Sequence, residues 1–207
     1  EEASTEEQTD EEENHEGKYR SELTNEWIDE SLKNQRPIAV MVDNEKTALP
    51  HYGLTEADVV YEIMNSTANG RITRLMAIVK DWGKIQQLGS IRSARPTNFM
   101  LAAEWNAVLC HDGGPFYIDE YVARSYTNNF SGTFGRVDNG KSREYTEYIL
   151  EGDLDENFSN SKYSVEYNEH YFTMSERYEE MKVQFEVDKN LLMYIEKRGK
   201  IVAGITA

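Results

Sequence analysis

The run Ile38-Ala39-Val40-Met41-Val42 carries no polar side chain at any position. A strand wetted on one side would alternate apolar and polar residues. An unbroken apolar run of this length suits a strand buried on both faces. The chain must then supply cover above and below a sheet. The run starts after Pro37 and stops at Asp43-Asn44. Further strand patterns lie at 58–64 and 72–80, separated by a polar turn and expected to pair antiparallel. A weaker strand with an internal glycine lies at 85–91, and a short one at 107–110. Helical patterns open at Pro96 and run to Trp105, open again after Pro115 to about 125, and recur at Arg143–Glu151. Residues 128–141 read as a long glycine-rich loop, with a hairpin at Thr133–Val137, and 152–170 as polar and poorly periodic. From Lys182 to Val187 the pattern alternates with period two and a return strand follows at 191–196. The expectation is an α+β fold: a mixed β-sheet flanked by helices, followed by a partial β-rich second domain.

Three segments follow. Residues 1–17 read as a disordered acidic tether, 18–155 as an N-terminal α/β domain, and 156–207 as the start of a β-rich C-terminal domain. Residues 1–17 hold nine acids and neither Lys nor Arg, so more than half of the net charge of −16 sits there. Such a segment self-repels and stays extended. Nucleic acid is excluded as a partner, because phosphate binding needs a basic face. Cys110 is the only cysteine, which rules out an intrachain disulfide, and its apolar neighbours make it a buried structural thiol. No stretch approaches the ~20 apolar residues of a membrane span. The acidic start is what a mature chain shows after loss of a leader.

Two stretches carry the chemistry. Ile91-Arg92-Ser93-Ala94-Arg95-Pro96 and Cys110-His111-Asp112-Gly113-Gly114-Pro115 share one grammar: an apolar run, a polar cluster, a proline, then a helical segment. Proline fits the first turn of a helix, so both read as strand-to-helix junctions. Asp43 and Glu62 lie at the ends of two earlier strands. If these strands run parallel, their carboxyl ends share the edge where open α/β sheets bind ligands. Arg92 and Arg95 would clamp an anion, Ser93 and Asp112 would add hydrogen bonds, and Gly113 and Gly114 would let the backbone come close. An ion-pair network that merely locks loops accounts for the same residues equally well. His111 with Asp112 or Asp43 reads as a general base, with Ser93 or, less plausibly, Cys110 as nucleophile. No Gly-x-Ser-x-Gly elbow, zinc motif or phosphate loop is present, so neither a metal nor a cofactor is expected. Asp43, Glu62 and Asp112 would hold a hard cation only if they converged with the arginines facing away. Tyr126, Phe130 and Phe134 fall in the glycine-rich loop, where they are either core or an exposed sticky surface.

The ordered motifs Arg36-Pro-Ile-Ala-Val-Met-Val-Asp-Asn44, Gly53-Leu-x-x-Ala-Asp-Val-Val-Tyr-Glu62, Ile72-Thr-Arg-Leu-Met-Ala77, Ile91-Arg-Ser-Ala-Arg-Pro96 and His111-x-Gly-Gly114 resemble the YerB-like family of bacterial envelope lipoproteins. The resemblance covers about residues 20–150, and 160–207 look like the start of that family's second, mostly β domain. It implies an extracytoplasmic protein held to the outer face of the cytoplasmic membrane by a lipidated cysteine upstream of Glu1. It implies no activity. The leading expectation is a binding module for an anionic or polyhydroxyl ligand such as a cell-wall fragment. An envelope hydrolase or transferase using His111, and a partner scaffold presenting residues 126–137, are the alternatives.

Overall fold

The computed structural model describes residues 15–66 and 71–167. In chain order its strands and helices are β1 (Lys18–Arg20), β2 (Trp27–Asp29), β3 (Ile38–Asp43), β4 (Val59–Ser66), β5 (Ile72–Val79), β6 (Gln87–Gly89), α1 (Pro96–Glu104), β7 (Val108–His111), α2 (Asp119–Val122), β8 (Asn129–Ser131), β9 (Tyr148–Leu150) and α3 (Asp153–Ser159). The main sheet has the order β4-β5-β3-β7-β8. Strands β3, β7 and β8 run parallel; β5 lies antiparallel between β3 and β4. Four of the five strands therefore point the same way, and their carboxyl ends share one edge. The sheet is mixed, as the α+β expectation required.

All six residues of β3 are buried. Ile38, Val40 and Val42 face a cluster with Trp82, Leu88, Phe130, Ile149 and Phe158. Ala39 and Met41 face the other cluster, with Met76, Ile78, Phe99, Ala102 and Tyr121. The alternation of a strand sends neighbouring side chains to opposite faces. Helices α1 and α2 cover one face, and the β6–β9 ribbon with α3 covers the other. The continuous apolar run in the sequence has this double layer as its cause. Helix α1 begins where expected: Arg95 is extended, Pro96 occupies the first turn, and the Asn98 side-chain oxygen accepts the Arg95 N–H at 2.6 Å.

Several local expectations are corrected. Arg143–Glu151 is not a helix; a 3-10 turn at Arg143–Tyr145 leads into β9, because Tyr148 and Ile149 are drawn into pairing with β6. The second helix shortens to a 3-10 turn at Phe116–Ile118 followed by one turn of α2. The glycine-rich loop contains β8, and Arg136 bridges to Glu147 instead of closing a hairpin on Thr133. Helix α3 lies in a segment read as unpatterned; its signal was the single i, i+4 pair Leu154 and Phe158, both buried.

The segment boundaries shift too. Residues 15–17 belong to the folded unit: His15 stacks on Trp27 at 3.9 Å, and the Gly17 carbonyl accepts from Glu30 at 2.9 Å. The packed unit also continues beyond 155. Phe158 and Tyr163 pack on Phe130, and 165–167 return to pair with 34–36 through Arg36 N–H to Val165 O and Tyr167 N–H to Asn34 O, both 2.7 Å. Lys80, fully buried at the end of β5, fastens this closure: its ammonium pairs with Glu22 and lies 4.7 Å from the Tyr167 ring. The hairpin expected at 182–196 lies outside the described residues. Among the described residues no helix is long and apolar enough to cross a membrane.

Candidate functional site

The shared edge of the sheet gathers most of the residues singled out in the sequence, and the segment 90–95 runs through its middle. Ser90 O accepts from Asp43 N–H, and Arg92 N–H donates to Met41 O at 2.9 Å. On the other side Arg92 O accepts from Asp112 N–H at 3.1 Å, and Ala94 N–H donates to Gly113 O at 3.1 Å. The two proline-marked junctions are thus stitched to each other by backbone. Arg92, Ser93 and Arg95 meet at this edge; Glu62 does not join them. Its carboxylate takes the Thr73 hydroxyl at 2.6 Å and the Asn44 amide at 3.3 Å, out on exposed β4.

Arg92 does not serve as an anion clamp. Its Nε lies 2.7 Å from Asp43 Oδ2, its Nη1 2.9 Å from a Glu144 oxygen, and its guanidinium rests over the Tyr145 ring at 5.2 Å. Two carboxylates already neutralise it, so an incoming anion would meet repulsion. Asp43 is fully buried, and its second oxygen takes the Glu45 N–H at 2.8 Å. For this residue pair the reading as a locking network is the correct one.

The positive charge left over belongs to a different pair. Arg74 stands at the start of β5, directly across from Asp43 in the ladder. It is 4% exposed, and its Nη1 donates to Ser93 O at 2.6 Å and to Ser93 Oγ at 3.0 Å. Arg95 Nη1 reaches the same Oγ at 3.2 Å and Ala94 O at 2.9 Å. Two guanidiniums therefore converge on one hydroxyl. Both lone pairs of Ser93 Oγ are taken, which leaves its own O–H as a third donor. Among the described residues no carboxylate forms an ion pair with Arg74 or Arg95. Burial brings the Arg74 pKa down to about 10; Asp43 opposes the shift, and Arg92 and Arg95 add to it by repulsion. The Arg74 Nε is buried without a partner.

The imidazole does not face this spot. His111 is 1% exposed. Its Nδ1 lies 2.8 Å from Gly113 O, which can only accept, so Nδ1 carries the proton; its Nε2 accepts from Asn129 Nδ2 at 3.1 Å. Burial pushes its pKa below the ordinary value, so the ring is neutral. With both nitrogens occupied and no path to solvent, His111 has no free lone pair for proton transfer. The general-base role is corrected to a structural one, and Ser93 and Cys110 lose the base that would activate them. Cys110 is fully buried, and burial pushes its thiol up and out of reach of ionisation.

Asp112 has a partner that the sequence did not reveal. Arg136 Nη2 donates to Asp112 Oδ2 at 3.0 Å and to Glu147 Oε2 at 2.7 Å. Glu147 is fully buried and shares a hydrogen bond with Asp112. Burial, then the Asp112 contact and charge, push the Glu147 pKa up to about 7; Asp112 is held below the usual carboxylate range by its bonds to Glu147 and Arg136. Gly113 takes a left-handed backbone at φ +64° with open space beside it, and Gly114 works for packing. A methyl on Gly114 would fall 2.2 Å from Ile118 Cδ1 and 3.1 Å from Ala94 O, so only glycine lets the second junction lie on the first. The aromatic surface expected at 126–137 is corrected as well: Tyr126, Phe130 and Phe134 are 7%, 5% and 7% exposed.

Asp43, Glu62 and Asp112 are each engaged separately, and among the described residues no group of three or more His, Cys, Asp or Glu gathers to hold a metal. A cavity of about 20 Å³ lies away from this edge, lined by Trp82, Ile85, Ile149 and Leu154 together with Gly83, Gly152 and Asp155. It has room for a water molecule at most.

The family model for the N-terminal domain of DUF3048, a protein of unknown function, matches residues 23–164. The chain belongs to this family. The DUF3048 match takes in β3, both proline-marked junctions, Arg74, Arg136 and Glu147. The candidate lipoprotein YerB of Bacillus subtilis (strain 168) is 33% identical over 139 residues, covering 63% of this chain and 41% of that protein. The crystal structure of Bacillus subtilis YerB superposes with a TM-score of 0.64 at 24% identity, over 72% of this chain and 51% of that one, and shows the same fold. The chain thus spans about half the length of these relatives. Within the DUF3048 domain, sequence reading missed Arg74, Arg136 and Glu147. Arg74 had a signal: a lone cation opening an apolar strand, two positions after Ile72. Glu147 had none, since its partners lie 11 and 35 positions away.

Proposed function

We propose that this DUF3048 domain is the recognition unit of an envelope lipoprotein and that it takes an anionic ligand at Ser93. One observation carries the reading: Arg74 and Arg95 donate to a single serine hydroxyl, and among the described residues no carboxylate forms an ion pair with either. Two guanidiniums and the Ser93 O–H form a three-donor cradle matched to a carboxylate or a phosphate group. An anion there would relieve the repulsion and desolvation that depress Arg74. Arg92, bound between Asp43 and Glu144, sets the position of the cradle and does not fill it. The strongly acidic N-terminal segment and the likeness to a candidate lipoprotein support a place outside the cytoplasmic membrane, tethered by a lipid anchor. Cell-wall fragments carry the right charge for such a site.

Titration calorimetry with inorganic phosphate and with acetate tests the cradle. The native chain is expected to bind in the millimolar range or tighter. Arg95→Ala and Ser93→Ala should each weaken binding about tenfold or more, the scale of losing a hydrogen bond to a charged group. Absence of heat from the native protein at tens of millimolar ligand, or equal affinity in both variants, would overturn the reading.

A further inference from the structure

The second junction ends in two aromatic rings that the fold leaves in water. Phe116 is 85% exposed and Tyr117 50%, with the rings edge to face at 5.6 Å. They are presented by a short rigid turn: Pro115 enters it at φ −70°, and Ile118 and Tyr121 pin it to the core at 4% and 6% exposure. The rings belong to the surroundings of the arginine cradle. Gly113 O takes the Ala94 N–H at 3.1 Å, and Gly114 packs against the Ala94 carbonyl. Phe116 lies two Cα steps beyond Gly114, hence within about 8 Å of that contact. Ala94 is flanked by Ser93 and Arg95. A ligand held by its anion at Ser93 has only the backbone junction of Ala94 with Gly113 and Gly114 between it and the aromatic turn.

We propose that the two features form one site for a saccharide bearing a single anionic group, with the anion on Arg74, Ser93 and Arg95 and the C–H face of the sugar on Phe116 and Tyr117. The inference rests on the anion reading above and names the ligand class. Aromatic faces take the apolar side of a pyranose while leaving its hydroxyls wet. Charge complementarity beside the rings argues for this occupant over an apolar protein surface. Asp119 and Glu120, exposed directly after the rings, repel a long polyanion and restrict the ligand to one charged end.

Calorimetry on the 207-residue chain with four probes tests this: inorganic phosphate, N-acetylglucosamine, N-acetylglucosamine 1-phosphate and N-acetylmuramic acid. At least one of the two anionic sugars is expected to bind about tenfold tighter than phosphate, and the arm that does so assigns the anion as phosphate or carboxylate. Phe116→Ala should abolish that gain while leaving phosphate affinity and the melting temperature unchanged. Phosphate binding with no gain for either sugar would overturn the saccharide proposal alone. So would a gain that survives in Phe116→Ala combined with Tyr117→Ala, or a Phe116→Ala chain that melts several degrees lower, since the ring would then be packed against the protein itself. Failure of phosphate to bind would instead sink the anion reading, and this proposal with it.

Discussion

Replacing Asp43 by alanine is expected to destabilise the domain by about 3–5 kcal/mol, the usual result of removing one partner from a buried charge pair. Asp43 is the single buried carboxylate facing two guanidiniums, Arg92 at 2.7 Å and Arg74 across the ladder. Removing it leaves Arg92 with Glu144, whose side chain is half exposed and screened by water, and takes from Arg74 the stronger of the two carboxylate charges that act on it, leaving Glu45. The Glu45 N–H, which closes the turn after β3 on the second Asp43 oxygen, loses its acceptor as well. Urea unfolding at neutral pH measures the effect as a lower midpoint with unchanged slope. Phosphate should raise the midpoint of the variant more than that of the native chain, because an anion at the proposed site beside Ser93 would replace part of the negative charge that Asp43 supplied to Arg74. A loss below about 1 kcal/mol would show that the arginines are solvated and that the cluster is not a closed network.

Glu147→Gln is expected to remove a pH step from the stability of the domain. In the folded state Glu147 holds its proton up to about pH 7, against an ordinary value of 4.5, because it is buried beside Asp112. Between these values the folded chain binds a proton that the unfolded chain has released. The native protein therefore loses stability as pH rises from about 4.5 to about 7, by about 1.4 kcal/mol for each unit separating the two titrations. Asp112 works in the opposite sense and at lower pH: its depressed value stabilises above the usual carboxylate range and is lost on acidification. Asp58, also raised by burial, contributes in the same direction as Glu147 but is present in both proteins, so their difference isolates Glu147. Urea midpoints at pH 5, 6 and 7 should fall more steeply in the native chain than in Glu147→Gln, which keeps the contributions of Asp58 and His111. Parallel curves would show that the proton is not held there. The consequence reaches the Arg74–Ser93–Arg95 cluster, because Glu147 O accepts from Ile91 N–H and Asp112 N–H donates to Arg92 O on either side of the segment that ends in Ser93.

The layered fold was legible because hydrophobic patterning is local. Ile38 to Val42 declares two covered faces within five residues, and Pro96 marks the start of α1 with no help from elsewhere. The edge strands Asn129–Ser131 and Tyr148–Leu150 were not legible. Three residues carry too little pattern to outweigh the glycines and polar groups around them, and only pairing with β7 and β6 makes them strands. The same holds for the loop aromatics: Phe130 and Phe134 look exposable until α3, itself marked by one apolar pair, is laid over them.

The site divides in the same way. Sequence alone located the sheet edge where these charged groups meet, because two strand ends with prolines and clustered charges can be read residue by residue. It also established the uneven acidic charge and, from the single cysteine, that no disulfide can form within these 207 residues. Tertiary structure alone decided which charges are spent and which remain. Arg92 was consumed by Asp43 and Glu144, His111 by Gly113 and Asn129, while Arg74 was brought from 19 positions away to the same hydroxyl as Arg95. Counter-charges and burial are properties of what the fold brings within a few ångströms, and separation along the chain carries no record of them.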